Sequence, residues 1–131
     1  MHVQLDTQAL ADALAADGLP TLQVHSAAVD RASYLLRPDL GRRLDDASAQ
    51  RLRDAAGPSP TAGCDLLLVI GDGLSSLAVE RNARAMVTAI RAGLPAGWTL
   101  GPVVIAQQAR VALADEAGAL FGARLVAMLI G

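Results

Sequence analysis

Cys64-Asp65-Leu66-Leu67-Leu68-Val69-Ile70-Gly71-Asp72-Gly73-Leu74-Ser75-Ser76 is the stretch that decides the fold. Its apolar part, 64–70, is continuous rather than alternating and is bounded by turn residues. A strand that reads this way is covered on both faces, which marks a central strand of a parallel sheet. Gly71-Asp72-Gly73 is the turn that follows. Ser75 or Ser76 can cap the next helix, whose expected buried stripe is Val79, Ala83, Met86, Val87 and Ile90. Gly93 and Pro95 end that helix.

Working outward, the same alternation of strand and helix continues. Residues 5–16 read as a helix, with Asp6 or Thr7 as cap, Leu10 and Leu14 on one face, and Gly18 then Pro20 as stops. Residues 21–28 alternate like a short strand, Leu22 and Val24 against Gln23 and His25. Pro38 and Asp39 open a second helix that should run to Gly57, with Leu40, Leu44, Ala47 and Leu52 as its apolar stripe. Residues 58–63 are a loop. Residues 103–106 form a third strand, 111–121 a shorter helix, and 125–130 a last buried strand. Strand–helix–strand units of this length build a doubly wound, mainly parallel α/β sheet of about four strands, with right-handed crossovers and helices on both faces. Ligands of such sheets sit beyond the carboxyl ends of the strands. Here those ends are Ala27-Ala28, Gly71-Asp72-Gly73, residues 106–110, and Gly131.

The 131 residues suit one domain. Apolar residues make up 53% and charged residues 18%, which excludes an intrinsically disordered chain. Tyr34, Trp98 and Phe121 are the only aromatics, so the core is aliphatic and base stacking on interleaved aromatics is disfavoured. All 11 basic residues are arginine. With no lysine, Schiff-base and P-loop chemistry are both excluded. The net charge of -2 and the absence of a basic tract argue against nucleic acid as a partner. Neither apolar run, 66–70 or 125–130, is long enough to span a bilayer, so no membrane is expected. Cys64 is alone, which fits a reducing cytoplasm.

The residues offer several candidate chemistries. The Gly71-Asp72-Gly73 turn sits where a dinucleotide fingerprint would, but Ser76 replaces its third glycine and Asp72 would repel a pyrophosphate. A nucleophile elbow at Gly73-Leu74-Ser75 fails because Leu77 stands where glycine is required. His2, His25 and Cys64 lack any metal-ligand spacing, so no metal site is expected. His25 reads as an ordinary strand residue. Arg37-Pro38-Asp39-Leu40-Gly41-Arg42-Arg43-Leu44 is the densest stretch. Its arginine forks suit carboxylate or phosphate partners, and equally a solvated helix face with local ion pairs. Gly41 costs a helix stability relative to alanine, and so points to close approach by another backbone.

Two stretches together resemble the small subunit of ethanolamine ammonia-lyase. They are Tyr34-Leu35-Leu36-Arg37-Pro38-Asp39-Leu40-Gly41-Arg42-Arg43-Leu44 and Val69-Ile70-Gly71-Asp72-Gly73-Leu74-Ser75; Ala109-Arg110-Val111 and 124–131 follow in the family's order. The resemblance implies a Rossmann-like domain that helps hold adenosylcobalamin against a large, TIM-barrel subunit, for the radical conversion of ethanolamine to acetaldehyde and ammonia. One family cofactor contact falls on Val111, with Arg110 beside it. Asp72, Gly73 and Ser75 join them by position at the same sheet edge. Arg37, Asp39, Arg42 and Arg43 are expected at the subunit interface. No residue is expected to act as acid, base or nucleophile. The resemblance also implies a cytoplasmic protein, a bacterial microcompartment included. The rival expectations are a cofactor-free α/β assembly module and a stand-alone nucleotide-binding domain. In isolation, the edge strand 125–130 is expected to let two copies pair as a homodimer.

Overall fold

The structure, a computed structural model, describes residues 6–56, 64–72 and 76–130; within 76–81 only the side chain of Val79 is described. The elements are α1 (Thr7–Ala16), β1 (Thr21–His25), α2 (Arg31–Leu36), α3 (Pro38–Gly41), α4 (Asp46–Ala56), β2 (Leu66–Gly71), α5 (Ser76–Gly93), β3 (Val103–Gln107), α6 (Leu113–Phe121) and β4 (Leu125–Ile130). Among the described residues the strands form one sheet, all parallel, in the order β1-β3-β2-β4.

The continuous apolar run does what its pattern requires. Leu67, Leu68, Val69 and Ile70 of β2 have no exposed surface, nor do Val103, Val104, Ile105 and Ala106 of β3. Side chains alternate across a strand, so each set divides between two cores. On one face Val24, Leu67, Val69, Val104 and Ala106 pack with Leu52 of α4 and Leu113, Ala117 and Phe121 of α6. On the other, Leu68, Ile70, Val103 and Ile105 pack with Leu10 and Leu14 of α1 and Val79, Ala83 and Val87 of α5. Full burial of a side chain of this size contributes about 1.5–3 kcal/mol. The two central strands therefore contribute a large share of the apolar burial.

Four expectations are corrected. The helix expected from Pro38 to Gly57 is two helices, α3 and α4, with residues 42–45 between them. The strand expected over 21–28 ends at His25, and Ser26 instead bridges Leu44 in antiparallel sense. Met86, expected in the buried stripe of α5, is 47% exposed, because it faces an open cavity beside the edge strand β4, with Met128 and Ile130 in its lining. The last strand, β4, is half-buried rather than buried, since it lies at the edge with β2 on one side only. A helix that the pattern did not suggest, α2, precedes Pro38; Asp30 caps it by accepting from the Ser33 N–H at 2.8 Å. The expected loop over 58–63 lies outside the described residues. Among those residues, no helix is long and apolar enough to cross a membrane.

Close packing at the amino end of the sheet gives a direct test. A Cβ added at Gly101 would lie 2.7 Å from Cys64 Sγ and 3.2 Å from a ring carbon of Phe121, both buried side chains. At Gly71 the obstructing atom is the mobile methyl end of Met128. Gly101→Ala should therefore destabilise the protein by about 1–3 kcal/mol. Gly71→Ala should cost clearly less; urea unfolding of the two variants checks the order.

Candidate functional site

Strand register assembles the site. His25 pairs with Gln107, and Gly71 pairs with both Ala106 and Ile130, so the carboxyl ends of all four strands finish at one edge. The segments that leave this edge are those the sequence singled out.

The arginine-rich stretch folds against that edge. Arg37 stands before Pro38, and a residue in that position is pushed out of the helical region. It accordingly has φ −127° and ψ 78° and separates α2 from α3. Its guanidinium donates to Asp39 at 3.1 and 2.9 Å, which draws the Asp39 carboxyl below its ordinary value and raises that of Arg37. Both side chains are well exposed, so this pair shapes the surface more than it stabilises the fold. Residues 43–45 are stitched down by backbone: Ala27 N–H donates to Arg43 C=O, and Asp45 N–H to His25 C=O. Leu44 N–H donates to Glu116 Oε1 at 2.7 Å. The side chains of Arg42 and Arg43 are exposed and form no ion pair with any described residue.

Tyr34 and Arg110 tie this segment to the loop after β3. Tyr34 is 2% exposed. Arg110 Nη2 donates to the Tyr34 carbonyl at 2.8 Å, and its guanidinium lies 4.5 Å from the centre of the Tyr34 ring. Arg31 lies over the same ring at 4.7 Å. Arg110 N–H donates to the Gly41 carbonyl at 2.9 Å. A Cβ on Gly41 would sit 3.1 Å from Arg110 Cγ and 3.4 Å from the Gln108 carbonyl, so the close backbone approach expected at Gly41 is present. Nothing in the sequence pairs Tyr34 with Arg110. The available signal was a scarce aromatic inside the motif.

Asp72 lies beneath the edge rather than on it. It is 4% exposed, and its two carboxylate oxygens accept from Gln108 N–H at 2.9 Å and Ala109 N–H at 3.2 Å. Gln108 has φ +52°, a left-handed conformation rare outside glycine. Its Oε1 and the Nε of Arg110 are buried with no hydrogen-bond partner among the described residues. Val111, next in the loop, is 59% exposed, and Val29 and Leu36 on the segment tied down by Arg110 are each 79% exposed. The helix expected to start at 111 starts at Leu113, which leaves Val111 in the loop. Gly73 and Ser75 fall outside the described residues. His25 does not project into the site; its Nδ1 is 2.7 Å from the neighbouring Ser26 carbonyl.

These features define a parallel α/β domain in which segments leaving the carboxyl ends of the strands carry the exposed residues Val29, Leu36 and Val111, together with the arginines of 31–43 and Arg110. The family model for the ethanolamine ammonia-lyase light chain matches residues 1–131. Curated relatives named ethanolamine ammonia-lyase small subunit are 52% identical in Pseudomonas syringae pv. tomato, 50% in Pseudomonas fluorescens and 49% in Ralstonia nicotianae. Each similarity covers 100% of this chain and 46%, 47% and 48% of the respective relative. The chain thus spans about half the length of the curated relatives it matches, and it belongs to the ethanolamine ammonia-lyase light-chain family.

The Tyr34–Arg110 contact needs a planar fork that stacks and donates at once, which lysine cannot supply. Arg110→Lys should lower stability by about 1 kcal/mol and Arg110→Ala by about 2, combining a lost hydrogen bond with a lost cation–π contact. Urea unfolding followed by circular dichroism checks both.

Proposed function

We propose that this chain serves as the small subunit of an ethanolamine ammonia-lyase, enclosing adenosylcobalamin against the large subunit during conversion of ethanolamine to acetaldehyde and ammonia. The observation that carries the reading is the carboxyl edge itself. Val29, Leu36 and Val111 stand exposed on two segments joined through Tyr34 and Arg110. Exposed apolar side chains beside polar groups suit a large ligand that has an apolar face and a polar, amide-bearing rim and whose other face is covered by a partner. The residues present therefore fit the macrocycle of a cobalamin.

Each candidate residue takes a distinct part. Val111 gives apolar contact. Arg110, fixed on Tyr34, sets where Val111 stands. Asp72, beneath the edge, supports the loop after β3. Gly73 and Ser75, which follow it in the sequence, are proposed as cofactor neighbours by position alone and lie outside the described residues. Arg37, Asp39, Arg42 and Arg43 face the large subunit; Arg42 and Arg43, which form no ion pair with a described residue, bring their charge to that surface. When bound, the cofactor supplies the radical chemistry. This chain's own residues bind, orient and exclude water. None is proposed to move a proton. The setting is the cytoplasm, a bacterial microcompartment included.

Mixing the chain with the large subunit and adenosylcobalamin should shift the cobalamin absorption and give ammonia release from ethanolamine. If neither appears, the reading is wrong and a cofactor-free assembly module is favoured. In the same mixture, replacing Arg42 and Arg43 together with Ala should weaken association with the large subunit by about tenfold or more, roughly 1.4 kcal/mol. The melting temperature should barely move, because both side chains are exposed. A large fall in melting temperature with unchanged association would make the pair structural.

For the chain alone, we propose a homodimer through β4. Among the described residues no strand lies on its outer side, and it carries no charged residue and exposes Leu125 at 54% and Ile130 at 40%. Concentration-dependent sedimentation should show a dimer; a monomer at all concentrations rejects it.

A further inference from the structure

We infer that Asp72 is a positioning residue: its buried carboxylate holds the Gln108–Val111 loop in the conformation that leaves Val111 bare at the cofactor edge. The inference rests on the cofactor-holding role proposed above and narrows what Asp72 does within it.

The geometry runs through one carboxylate. Asp72 follows the last residue of β2, and its own N–H donates to Ala106 C=O of the neighbouring strand at 3.3 Å. The side chain is thereby pointed at the loop leaving β3. Its two oxygens take the N–H groups of Gln108 and Ala109, consecutive donors that no strand or helix otherwise satisfies. Two consecutive N–H groups can converge on one carboxylate only if the backbone between them turns, and the turn falls on Gln108, at φ +52°. A side-chain-bearing residue resists that conformation. Strain of this kind persists where the surroundings over-determine it, and it collects at binding and switch sites. After the turn the chain direction is set. Arg110 N–H reaches Gly41 C=O, the Arg110 side chain goes back onto Tyr34, and Val111 is left outward. A direct contact between Asp72 and a ligand would need the same two oxygens and a surface it does not have, being 4% exposed.

This assignment differs from a cofactor contact in what glycine at 108 would do. Glycine accepts the left-handed conformation without assistance. In the complex with the large subunit, Asp72→Asn should raise the dissociation constant for adenosylcobalamin, read from its absorption shift, by about tenfold or more, because a buried N–H loses its acceptor. The rise should appear in the half-saturating cofactor concentration more than in the maximal rate. In the chain without cofactor, amide exchange at Gln108 and Ala109 should quicken. Adding Gln108→Gly to Asp72→Asn should restore cofactor affinity to within about threefold of the parent, a coupling expected of two residues that share one turn.

Unchanged affinity in Asp72→Asn overturns the inference. So does loss of affinity that Gln108→Gly leaves unrelieved, which would make Asp72 a direct contact. If Asp72→Asn fails to fold, the double variant decides: folding with near-parental affinity supports the role, and failure to fold overturns it. A parent complex that takes up no cofactor sinks the proposed function and this inference with it, whereas normal uptake by the parent and by Asp72→Asn alike sinks the inference alone.

Discussion

Burial of two strands on both faces is the constraint from which the rest follows. Leu67–Ile70 of β2 and Val103–Ala106 of β3 have no contact with water. Such strands need helices on each side, and a helix between successive parallel strands returns the chain to the same end of the sheet each time. All four strands therefore finish at one edge, and segments that leave adjacent strands there start side by side. No side chain has to reach far to build a site there. The opposite end is closed by plain packing, with Gly101 pressed on Cys64 and Phe121, and by Asp65, whose carboxylate accepts from Thr99 N–H at 2.9 Å. That bond, above all, holds the Asp65 carboxyl below its ordinary range.

The carboxyl edge is organised by buried polar groups rather than by apolar packing. Asp72 fixes the loop after β3 from below, Tyr34 and Arg110 fix the segment 31–44 to it from the side, and Glu116 takes the N–H of Leu44. Each of these bonds joins parts of the chain between 36 and 76 residues apart. A buried donor or acceptor left unpaired costs about 1–3 kcal/mol, so each contact specifies geometry more sharply than an apolar one of the same size.

This difference explains what could be read in the sequence. The central strand at 64–70 was legible because a continuous apolar run with turn residues at both ends has few other solutions. The alternation of strands and helices, and with it the parallel sheet, followed from local period alone. Gly41 was legible as a place of close approach because a glycine at a helix start has a stability cost that needs a reason. The pairing of Asp72 with Gln108 and Ala109 was not legible. Asp72 read as a poor pyrophosphate neighbour, a statement about its charge, while its role in the fold depends on N–H groups 36 residues on. The break between α3 and α4 was missed for a similar reason. Residues 42–45 keep the composition of a helix, and what draws them out is pairing with Ala27, His25 and Glu116. The exposure of Met86 and of β4 depends on which strand lies at the edge, and strand order leaves no local trace.

Arg110 and Val111 show how rigidity and exposure are combined in adjacent residues. An exposed valine on a free loop would turn inward or collapse onto its neighbours, since apolar surface gains by leaving water. Val111 is prevented from doing so because the residue before it is held at three points: N–H on Gly41, guanidinium on the Tyr34 carbonyl, and the same guanidinium over the Tyr34 ring. The backbone two residues earlier is held by Asp72. The loop therefore keeps an apolar side chain in water that a flexible loop would hide. A ligand that covers it recovers that apolar surface without first ordering the loop, because the loop is already ordered, and binding to a preorganised edge loses less conformational entropy. With His25 at the sheet edge turned onto its own backbone, the role proposed for this edge is that of a fixed surface, the reactive chemistry being supplied from elsewhere.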